Sequence, residues 1–218
     1  MFEFFKKQKE FYDGSEYHIH LGPGKYFKKN KKTICIDFEE SRSDIKVNFN
    51  QFDKLPLRSN TISSAYASHV LEHISMYKID KVLSEINRVL KKGAPIRIII
   101  PDAVKSMTHY LNNESCEIFN RRIEREKNSN GKLLTRFECL KQDFISLPGQ
   151  KELIKLNMLA HQNAWDFETI SKDLKVAGFS KVYQSGFKSS KFSCFNFEGT
   201  FKSEANESER SLYIEAIK

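Results

Sequence analysis

Residues 17–37 read Tyr17-His18-Ile19-His20-Leu21-Gly22-Pro23-Gly24-Lys25-Tyr26-Phe27-Lys28-Lys29-Asn30-Lys31-Lys32-Thr33-Ile34-Cys35-Ile36-Asp37. Two short runs rich in β-branched and aromatic residues flank a glycine turn, and the second run ends on an acid. Gly22 and Gly24, either side of Pro23, let the backbone approach a ligand with no Cβ in the way. Only residues 25–32 separate the turn from the second strand, and five of these eight are lysines. A long helix, whose N-terminus would receive a pyrophosphate, does not fit in that space, and this argues against a dinucleotide. A plain turn between strands and a strand-end acid are the alternative readings of the same residues.

Outward from this stretch the pattern stays α/β. Residues 44–49 alternate through Ile45, Val47 and Phe49 and read as a strand near a sheet edge. Leu55-Pro56-Leu57 and a polar turn lead to a strand over 61–67. Ile79, Val82, Leu83, Ile86, Val89 and Leu90 then fall on one helical face, and that helix is expected to end at Lys91-Lys92-Gly93. The apolar run 96–100 suits a strand buried on both faces, closed by Pro101-Asp102. Residues 103–160 are charged, helical in pattern and broken at 128–131 and at Pro148-Gly149, which reads as an inserted helical cap on a single domain spanning 1–218. A helix from Phe167 to Gly178 follows, with Asp166 as its N-cap. Two strands, 181–187 and 211–218, close the chain; with only a polar stretch and no helix between them they are expected to pair antiparallel.

This alternation predicts a Rossmann-like, doubly wound, mostly parallel seven-stranded sheet with an antiparallel C-terminal strand. Ligands of such sheets lie beyond the carboxyl ends of the strands, at the switch point. Gly22–Gly24, Asp37, Ala67–His69 and Asp102 all fall at strand ends and should converge there.

The 218 residues are long enough to bury one substantial core, and a composition 39% hydrophobic and 29% charged is that of a globular chain. No apolar run is long enough to span a membrane, and Phe2–Phe5 is too short for a signal peptide before Lys6 and Lys7. Cys35, Cys116, Cys139 and Cys194 lie far apart without a CxxC pair and read as reduced thiols of a cytoplasmic protein. A net charge of +8 makes acidic partners plausible, but no nucleic-acid recognition motif accompanies it, so nucleic acid is not an expected partner.

The tract Tyr66-Ala67-Ser68-His69-Val70-Leu71-Glu72-His73, followed by Glu85-Ile86-x-Arg88-Val89-Leu90-Lys91, a glycine turn and a strand ending Pro101-Asp102, resembles the small class I, S-adenosylmethionine (SAM)-dependent methyltransferases of the type 11 group. Leu55-Pro56-Leu57, the segment 161–179 and the closing Ser211–Ala216 are similar as well. The resemblance implies methyl transfer from SAM to an oxygen or nitrogen of a small acceptor. Members are often associated with sugar or cell-surface polysaccharide synthesis, which suggests a sugar-like acceptor.

On the same resemblance, Gly22, Pro23 and Gly24 approach SAM, Asp37 takes both ribose hydroxyls, and Ala67 and Ser68 lie by the methionine part. Asn50, followed by Gln51, stands where relatives place an acid on the adenine amine, so that contact becomes a neutral one. His69 is the first candidate for lining the acceptor site. Asp102 and His161 are candidates for orienting or deprotonating a hydroxyl. Ser68 as a helix N-cap and His161 as an ordinary surface histidine are the competing readings.

His69-Val70-Leu71-Glu72-His73 also fits H-x-x-E-H, a zinc signature of metallopeptidases that would put both histidines on one face of a helix. That reading leaves the glycine turn and strand-end acid unexplained, and no metal is expected. A SAM-binding protein without activity is a further alternative, because Gly93-Ala94-Pro95 lacks the usual second glycine. An RNA methyltransferase lacks support, since the Asn/Asp-Pro-Pro-aromatic motif is missing.

Overall fold

The computed structural model describes residues 16–24, 27–51, 53–112, 117–145, 161–195, 197–201, 204 and 208–218. Seven strands form one sheet: β1 (Tyr17–Leu21), β2 (Thr33–Asp37), β3 (Ile45–Lys46), β4 (Ile62–Ser68), β5 (Pro95–Pro101), β6 (Lys181–Gln184) and β7 (Ser211–Ile217). Their order is β3-β2-β1-β4-β5-β7-β6, with β3 through β5 parallel and β7 antiparallel to both β5 and β6. The chain winds outward from β1 to β3, then returns to lay β4 against the other side of β1. The switch point therefore lies between β1 and β4.

Among the described residues the α-helices are α1 (Ile79–Val89), α2 (Ala103–Leu111), α3 (Glu117–Asn130), α4 (Arg136–Phe144) and α5 (Phe167–Val176). Period-two alternation divides the sheet's side chains between two layers. Ile19, Leu21, Ala65, Ala67, Ile98, Ile100 and Ile214 pack with Val82, Leu83 and Ile86 of α1 and Ile170 and Leu174 of α5 in the main core. His20, Tyr66, Ile99 and Tyr213 alternate with them and meet Phe27, Phe195 and Phe201 instead. The link between β6 and β7, polar by its sequence, thus supplies buried aromatic rings that cover part of the second face. Its lysines and serines obscured five phenylalanines at 187, 192, 195, 197 and 201.

Arg97, on β5 and fully buried on that second face, is the charge that this layer encloses. Its guanidinium donates to Glu204 (2.9 and 3.0 Å), Glu215 (2.9 Å) and the Ser189 and Gly186 carbonyls (3.0 and 2.8 Å). A planar fork with five donors can satisfy that many acceptors at once; a lysine could not.

Three boundaries differ from the sequence reading for physical reasons. The edge strand shrinks to Ile45–Lys46, although Val47 and Phe49 remain buried below it. α1 stops at Val89, because Leu90 turns extended and bridges to Ile62. β6 ends at Gln184, since Ser185 and Gly186 turn in to meet Arg97. Helices α2 to α4 share a small apolar cluster of their own around Phe119, Leu134 and Cys139, with Arg122 and Asp143 ion-paired inside it. This is the helical insertion expected after 102; Pro148-Gly149 and Cys116 lie outside the described residues. No helix among the described residues is long and apolar enough to cross a membrane.

Candidate active site

A cavity of about 280 Å³ opens at the carboxyl ends of β1, β2 and β4, lined by Gly22, Gly24, Asp37, Asn50, Ser68 and His69 among others. Phe38, Val47, Phe49, Val70 and Ile74 supply an apolar wall. The size sits near the lower end of small-molecule sites, about 300–1,000 Å³, and the mix of apolar wall and few polar groups is typical of them.

The turn after β1 is built for close approach. Gly22 has φ +58° and Gly24 has φ +62°, the left-handed region that a side chain disfavours. A Cβ on Gly22 would come within 2.3 Å of Val70 Cγ2, whereas one on Gly24 would meet nothing within 4 Å. Gly22 is therefore required by packing as well as by conformation. Pro23 lines a neighbouring groove with Gly24 and Lys29 rather than the cavity itself. The described part of 25–32 carries no helix, in line with the short linker.

Asp37 ends β2, is buried and lines the cavity; one carboxylate oxygen accepts from the Glu39 backbone N–H (3.1 Å). Ala67 is buried within β4, one residue behind Ser68 at the cavity wall. Ser68 does not cap a helix: the next element is a single 3₁₀ turn, Leu71–His73, whose cap position is Val70. Asn50 lines the cavity, but its amide is already engaged. Its Nδ2 donates to the His73 carbonyl (3.1 Å) and its Oδ1 accepts from the Ser75 N–H (2.6 Å). It braces the 73–75 loop, leaving one carbonyl lone pair for a ligand. Gln51 lines a separate surface groove rather than the cavity.

His69 stands at φ +52°, a strained value for a non-glycine residue, and its N–H bonds to the Ile99 carbonyl (2.8 Å). Its ring meets Glu72 Oε1 through Nδ1 (3.0 Å) and Ser211 Oγ through Nε2 (3.2 Å). The H-x-x-E-H geometry expected for a helix is not formed, because His69 lies outside the 3₁₀ turn. Instead His73 packs edge-on against His161, with ring centroids 4.8 Å apart. Burial lowers the His161 pKa, keeping it neutral near pH 7. Burial works to raise the Glu72 pKa, but the His69 hydrogen bond and the neighbouring imidazoles outweigh it, and the carboxyl is held low.

Asp102 takes a capping role. Its Oδ1 accepts from the Val104 and Lys105 N–H groups (3.0 and 3.3 Å) at the start of α2, and it is absent from the cavity lining. Asp166 caps α5 as expected, accepting from Thr169 N–H (2.8 Å). The site thus gathers the glycine turn, Asp37, Asn50, Ser68 and His69, with His161 linked through His73. Sequence reasoning did not place Phe38, Val70 or Ile74 at the cavity, and it singled out His73 only as a zinc ligand of the H-x-x-E-H reading. Val70 and Ile74 reach the cavity because the chain leaves β4 in a tight 3₁₀ turn, which no periodic pattern signals.

Residues 22–98 match the family model described as a methyltransferase domain. No curated protein matches the chain. Solved structures with a similar outline include SAM-dependent methyltransferases from Archaeoglobus fulgidus (13% identity, TM-score 0.49, covering 98% of this chain and 90% of that one), Aquifex aeolicus (15%, 0.46, 99% and 89%) and Mesorhizobium loti (12%, 0.46, 98% and 96%). At such identities and scores these likenesses carry no weight about chemistry. The matched segment covers the glycine turn, the strand-end acid and the tract after β4, all of them at the cavity. Through these residues the segment 22–98 is similar to the methyltransferase domain.

Proposed function

We propose that the chain is a class I, SAM-dependent methyltransferase acting on an oxygen or nitrogen of a small, sugar-like acceptor, and that the cavity between β1 and β4 holds the SAM donor. The observation that carries this reading is the cavity itself: the Gly22–Gly24 turn, Asp37 and Ser68 face one apolar space at the switch point. Asp37 would take the ribose hydroxyls, since a carboxylate accepts two hydrogen bonds at once. Phe38, Val47 and Phe49 would sandwich the base, with the remaining Asn50 lone pair available to its amine. Ser68 and the β4 end, including Ala67, would lie along the methionine part.

SAM supplies an activated sulfonium methyl, so the tasks left to the protein are orientation and exclusion of water. His69, pinned between Glu72 and Ser211, is fixed in direction and suited to orienting an acceptor group. His161, whose ring packs against the cavity-lining His73, would help to orient the acceptor. The helices α2 to α4 stand as a cap that shapes the acceptor side. Free Cys35, Cys139 and Cys194 accord with a reducing, cytoplasmic setting.

Incubation with methyl-labelled SAM and a panel of hydroxylated and aminated sugars tests the acceptor. Label transfer to a sugar oxygen or nitrogen, lost in His69→Ala, is the expected result. Transfer only to nucleic acid or protein would refute the acceptor class.

A further inference from the structure

The segment His161–Asn163 is strapped to the turn after β4. Gln162 N–H and Asn163 N–H both donate to the Glu72 carbonyl (2.7 and 3.2 Å). The Gln162 and Asn163 side-chain amides donate to the His73 and Ile74 carbonyls (3.0 and 2.6 Å). These bonds hold the His161 ring against His73, over a Glu72 carboxylate that is fully buried. Glu72 Oε1 is bonded to His69, but Oε2 has no hydrogen-bond partner. One ligand atom from each of Glu72, His73 and His161 lies within 4.8 Å of the other two.

A buried carboxylate oxygen without a partner is costly, and folded proteins seldom leave one without a reason. The imidazoles of His73 and His161 each bring a nitrogen within 4.8 Å of a carboxylate oxygen of the same Glu72. His161 Nδ1 bonds to the Asp143 carbonyl (2.9 Å), so it carries the ring proton and leaves the Nε2 lone pair available to a ligand. A metal-ligating histidine usually donates its other ring N–H to a carbonyl or carboxylate in this way.

We propose that Glu72, His73 and His161 form a binding site for a divalent metal ion of the Zn²⁺ type, through two imidazole nitrogens and one carboxylate oxygen. The mixed nitrogen and oxygen donor set suits a borderline ion and not Mg²⁺, which demands oxygen ligands. Bonds of about 2.1 Å hold tetrahedral ligands about 3.4 Å apart, so the three groups close in by about 1.4 Å at most, within reach of ring rotation. Three protein ligands leave coordination positions open. His73 also lines the cavity, so the site adjoins it. If that cavity holds SAM as proposed above, the open positions would receive an oxygen of the acceptor; the ion site itself does not depend on that reading.

The test is calorimetric titration of the chelator-treated, untagged full chain with ZnCl₂, alongside SAM titration of the same samples. One equivalent of Zn²⁺ is expected to bind the wild type. Glu72→Gln and His161→Gln should each weaken binding by more than about 100-fold, beyond the 10–100-fold typical of losing a group that only orients a ligand. His161 lies outside every strand and helix, so His161→Gln carries the test if Glu72→Gln does not fold by circular dichroism. Absence of saturable Zn²⁺ binding, or unchanged binding in His161→Gln, overturns the site. SAM binding without Zn²⁺ binding would remove the ion and keep the donor assignment; Zn²⁺ binding without SAM would do the reverse.

Discussion

Gly22→Ala is a sharp perturbation of the donor turn, because two separable penalties meet at one atom. The φ of +58° costs an L-residue about 1–2 kcal/mol. The added Cβ would also lie 2.3 Å from Val70 Cγ2, too close for either to remain in place. Valine is stiff about χ1 and cannot swing aside easily, so overpacking adds about 1–3 kcal/mol. The two together predict a loss of about 2–5 kcal/mol of unfolding free energy, read by urea denaturation. They also predict a weaker SAM titration, since Gly22 and Val70 both line the cavity. Adding Val70→Ala removes Cγ2 and should return the overpacking share while leaving the backbone share. The cycle should therefore show a favourable coupling of about 1–3 kcal/mol. A Gly22→Ala variant within about 0.5 kcal/mol of wild type, or a cycle with no coupling, would refute the assigned turn geometry.

Other perturbations probe the second face and the buried charges. Arg97→Leu leaves Glu204 and Glu215 buried without their cation and should cost about 3–5 kcal/mol in the same denaturation experiment; a neutral outcome would mean the carboxylates escape to water. His20 has its pKa pushed down to about 3 by burial, against about 6.5 unfolded. Below pH 6.5 the unfolded chain takes up a proton that the folded one refuses, so stability falls as pH drops towards 3. At pH 5 the difference from pH 7 is about 2 kcal/mol. His20→Phe should keep the ring contacts with Phe27 and Tyr66 yet lose that share of the pH slope, and equal slopes in both proteins would contradict the assignment. Asn50→Ala removes both bonds to the 73–75 loop and should weaken SAM binding through the cavity wall; unchanged affinity would confine Asn50 to a structural role.

Much of the sheet was legible because strand burial writes itself into composition. The runs at 17–21, 33–37 and 96–100 mark central strands, and α1 declares its buried face at every third or fourth residue. The antiparallel close of β6 and β7 followed from the missing helix between them. Less legible was what covers the second face, since phenylalanines scattered among lysines and serines carry no period. Arg97 within an isoleucine run gave no hint of Glu204 and Glu215, which lie more than a hundred residues away. At the site, Gly22, Gly24, Asp37 and Ser68 were readable as strand-end residues that converge on one cavity. The meeting of Glu72 and His73 with His161 was not, because it depends on the strap from Gln162 and Asn163 to the β4 turn. Asp102 shows why a strand-end acid is ambiguous in sequence: it also caps the helix that follows.

The central claim is that the cavity between β1 and β4 binds SAM through Asp37 and the glycine turn. Calorimetric titration of the wild type and of Asp37→Ala with SAM and with S-adenosylhomocysteine tests it most directly. Saturable one-to-one binding of both ligands by the wild type, weakened at least about tenfold in Asp37→Ala, is the predicted result, since the lost hydrogen bonds to a charged acceptor are worth about 1.5–3 kcal/mol. No binding of either ligand at millimolar concentration would contradict the claim, and undiminished binding in Asp37→Ala would contradict the ribose assignment.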